Sequence, residues 1–111
     1  MLRRWDIVFV PVDAKDTGGH PAVVLSHEWR LTSPHNLRIN VLMGTKKQPA
    51  ESADEHQVLL DGADGLEFLT VFDCSLLYVV RKSAILRSSG YVSFERRKEI
   101  QRKVRSFLGL G

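Results

Sequence analysis

The stretch RWDIVFVPVDAKDTGGHPAVVLS, residues 4–26, decides the fold. Residues 6–12 are rich in Val, Ile and Phe, the types that fit a pleated, half-buried surface. Pro11 has no N–H to give a ladder, so it marks a strand edge or a bulge. Asp13, Lys15 and Asp16 then form a polar loop, and Gly18-Gly19 supplies a turn. Residues 22–25 are continuously apolar, the pattern of a strand buried on both faces or in a barrel. Two strands therefore flank a charged loop, and the second begins at His20-Pro21.

The same short rhythm continues downstream. Residues 29–36 hold Thr32, Ser33, Pro34 and Asn36 and read as a loop. Residues 37–43 alternate, with Leu37, Ile39 and Val41 on one side and Arg38, Asn40 and Leu42 on the other. Residues 45–55 are polar, carry Pro49 and read as an exposed loop. Residues 56–60 and 67–72 predict two short strands around the turn-forming DGADG, residues 61–65, and residues 76–80 predict another. Strands spaced every ~8–12 residues point to a small barrel or sandwich. After Ser93 the period changes. Ser93 suits an N-cap, Glu95 the first helical turn, and Ile100, Val104, Phe107 and Leu108 form one apolar stripe. Gly109 and Gly111 stop the helix. The fold class is thus mainly β, six or seven short strands and one amphipathic C-terminal helix, in a single domain over residues 1–111.

Composition sets bounds. A chain of 111 residues with 43% apolar residues suits one core. No run reaches the ~18–20 apolar residues of a membrane span, and the N-terminus lacks the apolar region of a signal peptide. A cytoplasmic protein with no membrane association is expected. Cys74 has no partner for an internal disulfide, which fits a reducing compartment, and reads as a small buried side chain. The net charge of +3 is weak information, but its distribution is not. Acidic residues gather between Glu51 and Glu67. From Arg81 to Arg105 nine basic residues face only Glu95 and Glu99. Such asymmetry suits an anionic partner, or else a solvated basic helix face. His20, His27, His35 and His56 show no metal-binding spacing, so no metal and no cofactor is expected.

Five elements in this order resemble the MazF/PemK family of toxins. They are WDIVFVPVD at residues 5–13, HPAVVLS at 20–26, LRINVLMGT at 37–45, FLTVFDC at 68–74, and GYVS at 90–93 followed by the helix. The likeness covers nearly the whole chain. It implies an SH3-like barrel closed by a C-terminal helix, and a ribonuclease that cuts single-stranded RNA. It also implies a homodimer silenced by a cognate antitoxin with an acidic disordered tail. The family carries an Arg before the proline, where this chain has His20. The Gln and basic residue that follow the family's acidic position are replaced here by Cys74 and Ser75.

Metal-free RNA cleavage needs a base for the 2′-OH, a positive donor for the phosphate oxygens and a proton for the 5′-oxygen. The products of such chemistry are a 2′,3′-cyclic phosphate and a 5′-OH. On the positions that match the family, the catalytic candidates are His20, Thr45 and Asp73. An imidazole titrates near ~6.5 and can act as acid or base, but it lacks the permanent charge and fork of Arg. Thr45 can donate a hydroxyl hydrogen bond. Asp73 can act as a base or orient His20. Arg3, Arg4, Trp5, Lys15, Lys46 and Lys47 are the RNA-binding candidates, with Trp5 offering a face for a base to stack on. Each has a plain alternative: a loop histidine, a strand-ending threonine, a structural carboxylate, a solvated lysine pair, a core tryptophan. The competing function is a catalytically degenerate RNA- or protein-binding module on the same barrel.

Overall fold

The computed structural model describes residues 1–46 and 53–111. Seven strands and two helices follow in the order β1 (Asp6–Val10), β2 (His20–Val24), α1 (Glu28–Thr32), β3 (Arg38–Lys46), β4 (Gln57–Leu60), β5 (Thr70–Asp73), β6 (Tyr78–Arg81), β7 (Arg87–Tyr91) and α2 (Phe94–Phe107). The fold is mainly β, a curled sheet ordered β4-β5-β3-β2-β1-β7 with a C-terminal helix. Every paired strand is antiparallel.

β3 is long because it serves two neighbours along one edge. Its first half, Arg38–Val41, pairs with β6, and its last residues, Gly44–Lys46, pair with β5. Its other edge pairs with β2 from Val41 to Met43. The sheet bends where the partner changes, and Gly44 sits at that bend. A Cβ on Gly44 would lie 2.6 Å from the ring of Phe72, the residue directly opposite, and 2.8 Å from Thr70. The fully buried ring covers the missing side chain and cannot retreat. Gly44→Ala is expected to cost about 1–3 kcal/mol by overpacking, read as a lower urea midpoint at constant slope.

The continuous apolar run in β2 is buried on both faces, as period 2 requires. Ile7, Val23, Leu42, Leu60 and Phe72 enter one core with Ile100 of α2. Val8, Val10, Ala22, Val24, Ile39 and Val41 enter a second core on the other face with Leu31 of α1. Pro21 pairs with Phe9, and the β3 ladder begins only at Ala22, so its missing N–H breaks no bond on that side.

Three segments differ from the sequence reading. Residues 29–36 were expected to be all loop, yet α1 forms one turn there. The His27 side chain accepts from the Trp29 N–H at 3.2 Å. Lys82 donates its ammonium to the carbonyls of Arg30, Leu31 and Ser33 at 2.5, 3.2 and 2.9 Å. The stabilising cation comes from about fifty residues away, so no local signal announces it. DGADG, expected as a turn, is a 3₁₀ turn over Gly62–Asp64, capped by Asp61 and Asp64. β7 is a strand that no sequence pattern announces. Its RSSGY is polar and half exposed, and it pairs with β1 through the backbone across a bulge between Ile7 and Val8.

The C-terminal helix forms where expected, from Phe94 after Ser93. Only Ile100 of its stripe is fully buried, with Val104 partly so. Phe107 stays half exposed with its ring edge-on to His56. Gly109 takes φ 71°, and the Leu110 and Gly109 N–H groups donate back to Arg105 and Ser106, closing the helix end.

Candidate active site

The loop between β1 and β2 is organised by one carboxylate. Asp16 accepts from the Val12 N–H at 3.0 Å and the Gly19 N–H at 3.0 Å, and its Oδ2 meets His20 Nδ1 at 2.8 Å. Gly19 sits at φ 75°, where a Cβ would stand 3.0 Å from the Val10 backbone nitrogen, so the chain reaches His20 only through glycine. The Val12 N–H, then the His20 hydrogen bond, holds the Asp16 carboxyl below its ordinary value of 3.8. Asp16 is therefore ionised at neutral pH and can only accept, so His20 Nδ1 carries a proton. That leaves Nε2 as the acceptor of a neutral ring. A depressed carboxyl stabilises above its unfolded value and loses that contribution as pH falls through the folded one. The Asp16 carboxyl carbon shift is expected to show its titration only below pH 3.8. A carboxyl midpoint above 3.8 would break this assignment.

His20 opens β2 opposite Val10. β2 and β3 run with Ala22 opposite Met43, and continuing that register sets His20 across from Thr45. The two residues border two cavities together. One, of about 560 Å³, also carries Phe9, Lys46, Glu67, Phe68 and Arg87. The other, of about 430 Å³, also carries Val10, Met43 and Tyr78. Two cations flank the larger cavity, each seated on an aromatic ring. Lys46 Nζ lies 4.1 Å from the Phe68 centroid, and Arg87 Cζ lies 3.8 Å from the Phe9 centroid. An acid–base imidazole, a hydroxyl donor and two cations thus face one hollow.

Other candidates lie away from this hollow. Asp73 does not orient His20. The β3–β5 register puts Val71, not Asp73, opposite Thr45, and Asp73 ends β5 opposite Gln57 of β4. There it accepts from the Ser75 N–H at 2.8 Å and the Ser75 hydroxyl at 2.5 Å, with His56 Nε2 3.9 Å away. Asp16 takes the place beside His20 instead. Trp5 offers no open face, because it is 8% exposed within the first core. Its backbone, at φ 77°, is tied to Val24 and Val92. Arg3, Arg4 and Lys15 are exposed but line neither cavity; the Arg4 guanidinium lies over Trp5. Lys46 lines the larger cavity, and Lys47 lies outside the described residues.

Two residues of the site carry little signal in the sequence: Asp16, which contacts His20, and Arg87, which lines the larger cavity. Asp16 gave a faint sign, an acid four residues before His20 across a glycine pair. Arg87 belongs to the basic run from Arg81 to Arg105, but its strand has no apolar pattern to place it at the cavity. Cys74 is buried, and burial pushes its thiol up to about 12, so it is no nucleophile at neutral pH. Among the described residues, no three His, Cys, Asp or Glu side chains converge as a metal site would need, and no helix is long and apolar enough to cross a membrane.

Residues 3–108 match the model of the PemK-like, MazF-like toxin of type II toxin–antitoxin systems. The chain belongs to that family. Its fold is similar to an endoribonuclease solved with its cognate antitoxin from a Mycobacterial species, at TM-score 0.81 and 15% identity over 100% of this chain and 98% of that one. It is similar to the Mycobacterium tuberculosis toxin MazF-mt6, at TM-score 0.77 and 18% identity over 96% and 98%. The MazF of a MazE–MazF structure from Deinococcus radiodurans aligns at TM-score 0.70 and 15% identity over 97% and 95%. No curated protein sequence matches. The MazF/PemK family is known for endoribonuclease activity. At these identities the structural likeness establishes the fold, while the chemistry rests on the side chains.

Proposed function

We propose that the chain is a toxin endoribonuclease that cuts single-stranded RNA without a metal. The observation that carries this is the Asp16–His20 pair at 2.8 Å, set beside Thr45 at the mouth of a cation-flanked cavity. The neutral His20 ring takes the 2′-OH proton on Nε2. The 2′-oxygen attacks the phosphorus, and the bond to the 5′-oxygen breaks. Asp16 stabilises the imidazolium that results, and the Thr45 hydroxyl donates to a phosphate oxygen as charge develops there. Lys46, whose ammonium can release a proton where a guanidinium cannot, protonates the departing 5′-oxygen. The products are a 2′,3′-cyclic phosphate and a 5′-OH, and solvent resets both groups.

The same reading places the protein in the cytoplasm as the toxin of a toxin–antitoxin pair. Exposed Lys98, Arg102 and Arg105 on α2 suit an acidic antitoxin tail. Leu76, Leu77, Tyr78 and Val79 leave an exposed apolar edge along β6, which supports assembly of two copies.

One observation favours a second reading: the imidazole of His20 stands where the family carries Arg. Under that reading the cavity binds RNA without cutting it. Incubation with a long mixed-sequence single-stranded RNA in EDTA, followed by end analysis, separates the two. Discrete fragments with cyclic-phosphate and 5′-OH ends are expected. Intact RNA, with the protein shown to be folded, would sink the ribonuclease.

A further inference from the structure

Among the described residues, Arg87 is the one guanidinium on the larger cavity that His20 and Thr45 border. It stands on β7 directly opposite Phe9, and Phe9 stands opposite Pro21, the neighbour of His20. Two ladder steps span about 10 Å, which places Arg87 across the hollow from the imidazole. Its guanidinium carbon rests 3.8 Å from the Phe9 ring centroid, so one flat face is spent on the aromatic and the N–H edges remain for a ligand.

The reaction needs something that the neighbouring groups supply poorly. Charge develops over the non-bridging phosphate oxygens, and a planar two-pronged donor matches a pair of oxygens best. His20 commits Nδ1 to Asp16 and needs Nε2 for the proton. Lys46 is a point charge over Phe68 on the opposite wall. We propose that Arg87 clasps the non-bridging oxygens of the scissile phosphate. The positive charge that the reaction demands is thus delivered from β7, two strands away from the imidazole. This inference rests on the ribonuclease reading of the cavity and names the residue that holds its substrate.

The test compares wild type with Arg87→Ala, Arg87→Lys and Arg38→Ala. Each is assayed on a single-stranded RNA and on the matching all-2′-deoxy oligonucleotide, which binds but has no 2′-OH to react. Arg87→Ala is expected to lower kcat/KM on RNA by roughly 10²–10³-fold, the effect of losing one preorganised charge donor. Arg87→Lys recovers only part, because the ammonium lacks the fork. On the deoxy oligonucleotide, Arg87→Ala reduces the slope of log affinity against log salt by about 0.7, the loss of one phosphate contact on a single strand. Arg38→Ala, at an exposed arginine that lines neither cavity, leaves kcat unchanged. The Arg87 side chain is exposed, so thermal unfolding of the variants stays near wild type. If wild type cleaves and Arg87→Ala cleaves equally well, the inference falls. If wild type fails to cleave, the ribonuclease reading falls by itself, and the salt slope then judges Arg87. An unchanged slope removes it, and a reduced slope upholds the phosphate contact without catalysis.

Discussion

Replacing His20 with alanine is expected to lower cleavage of long single-stranded RNA by about 10²–10⁴-fold, the contribution of one positioned acid–base group. The loss should appear in kcat, with KM little changed, because the proton transfer happens only on the way to the transition state. His20 is well placed for that role. Its ring is pinned by the 2.8 Å contact with Asp16, and it borders both cavities with Thr45. Its side chain is 42% exposed, so alanine leaves no buried void and stability should stay within about 0.5 kcal/mol. His20→Gln sharpens the result. The amide keeps a polar contact to Asp16 but exchanges no proton, so its kcat should fall as far as alanine's. Unchanged cleavage in either variant would remove His20 from the chemistry.

The largest loss of stability is expected at Asp64. Its side chain is fully buried, and both oxygens are occupied. One accepts from the Ser93 N–H at 2.8 Å, at the start of α2. The other accepts from the Asp61 N–H at 3.2 Å and faces Arg96 Nε at 3.6 Å. Arg96 in turn donates to the Leu59 carbonyl and to Asp61 Oδ2 at 3.3 Å. A Cβ on Gly90 would lie 2.6 Å from the Asp64 carbonyl, so β7 packs against the same backbone. This carboxylate therefore ties the 3₁₀ turn, β7 and the first turn of α2 together. Asp64→Ala strands two amide donors and takes one carboxylate away from the partly exposed Arg96, a loss of about 3 kcal/mol. In a chain of this size that lowers Tm by roughly 10 °C or more. Asp64→Asn keeps an acceptor and should lose about half as much. A Tm for the alanine variant equal to wild type would show that α2 docks without this anchor.

Much of the architecture was legible because its causes are local. Val23 and Val24 face opposite cores, and only a strand buried on both sides lets a continuous apolar run do that. Ile100 and Val104 share a helical stripe, and the chain beyond stops at Gly109 for want of a Cβ clash. α1 was missed because its C-terminal carbonyls are capped by Lys82, which no neighbour in sequence predicts. β7 was missed because its ladder is made of backbone groups, which carry no side-chain signature. At the cavity, His20 and Thr45 were named from the order of motifs, and the register brings them together. Asp73 came from the same motifs, but it stands two residues beyond Val71, the partner of Thr45, and meets Ser75 and His56 instead.

The sequence by itself determined six of the seven strands, the closing helix and the family, because alternation, capping and motif order are written in adjacent residues. Only the tertiary structure decided which charges meet. Asp16 reaches His20 through a glycine with φ 75°, and Arg87 reaches the same hollow through two ladder steps from Pro21. Coulomb and hydrogen-bond energies depend on distance in space, and the antiparallel register that sets those distances is a property of paired strands.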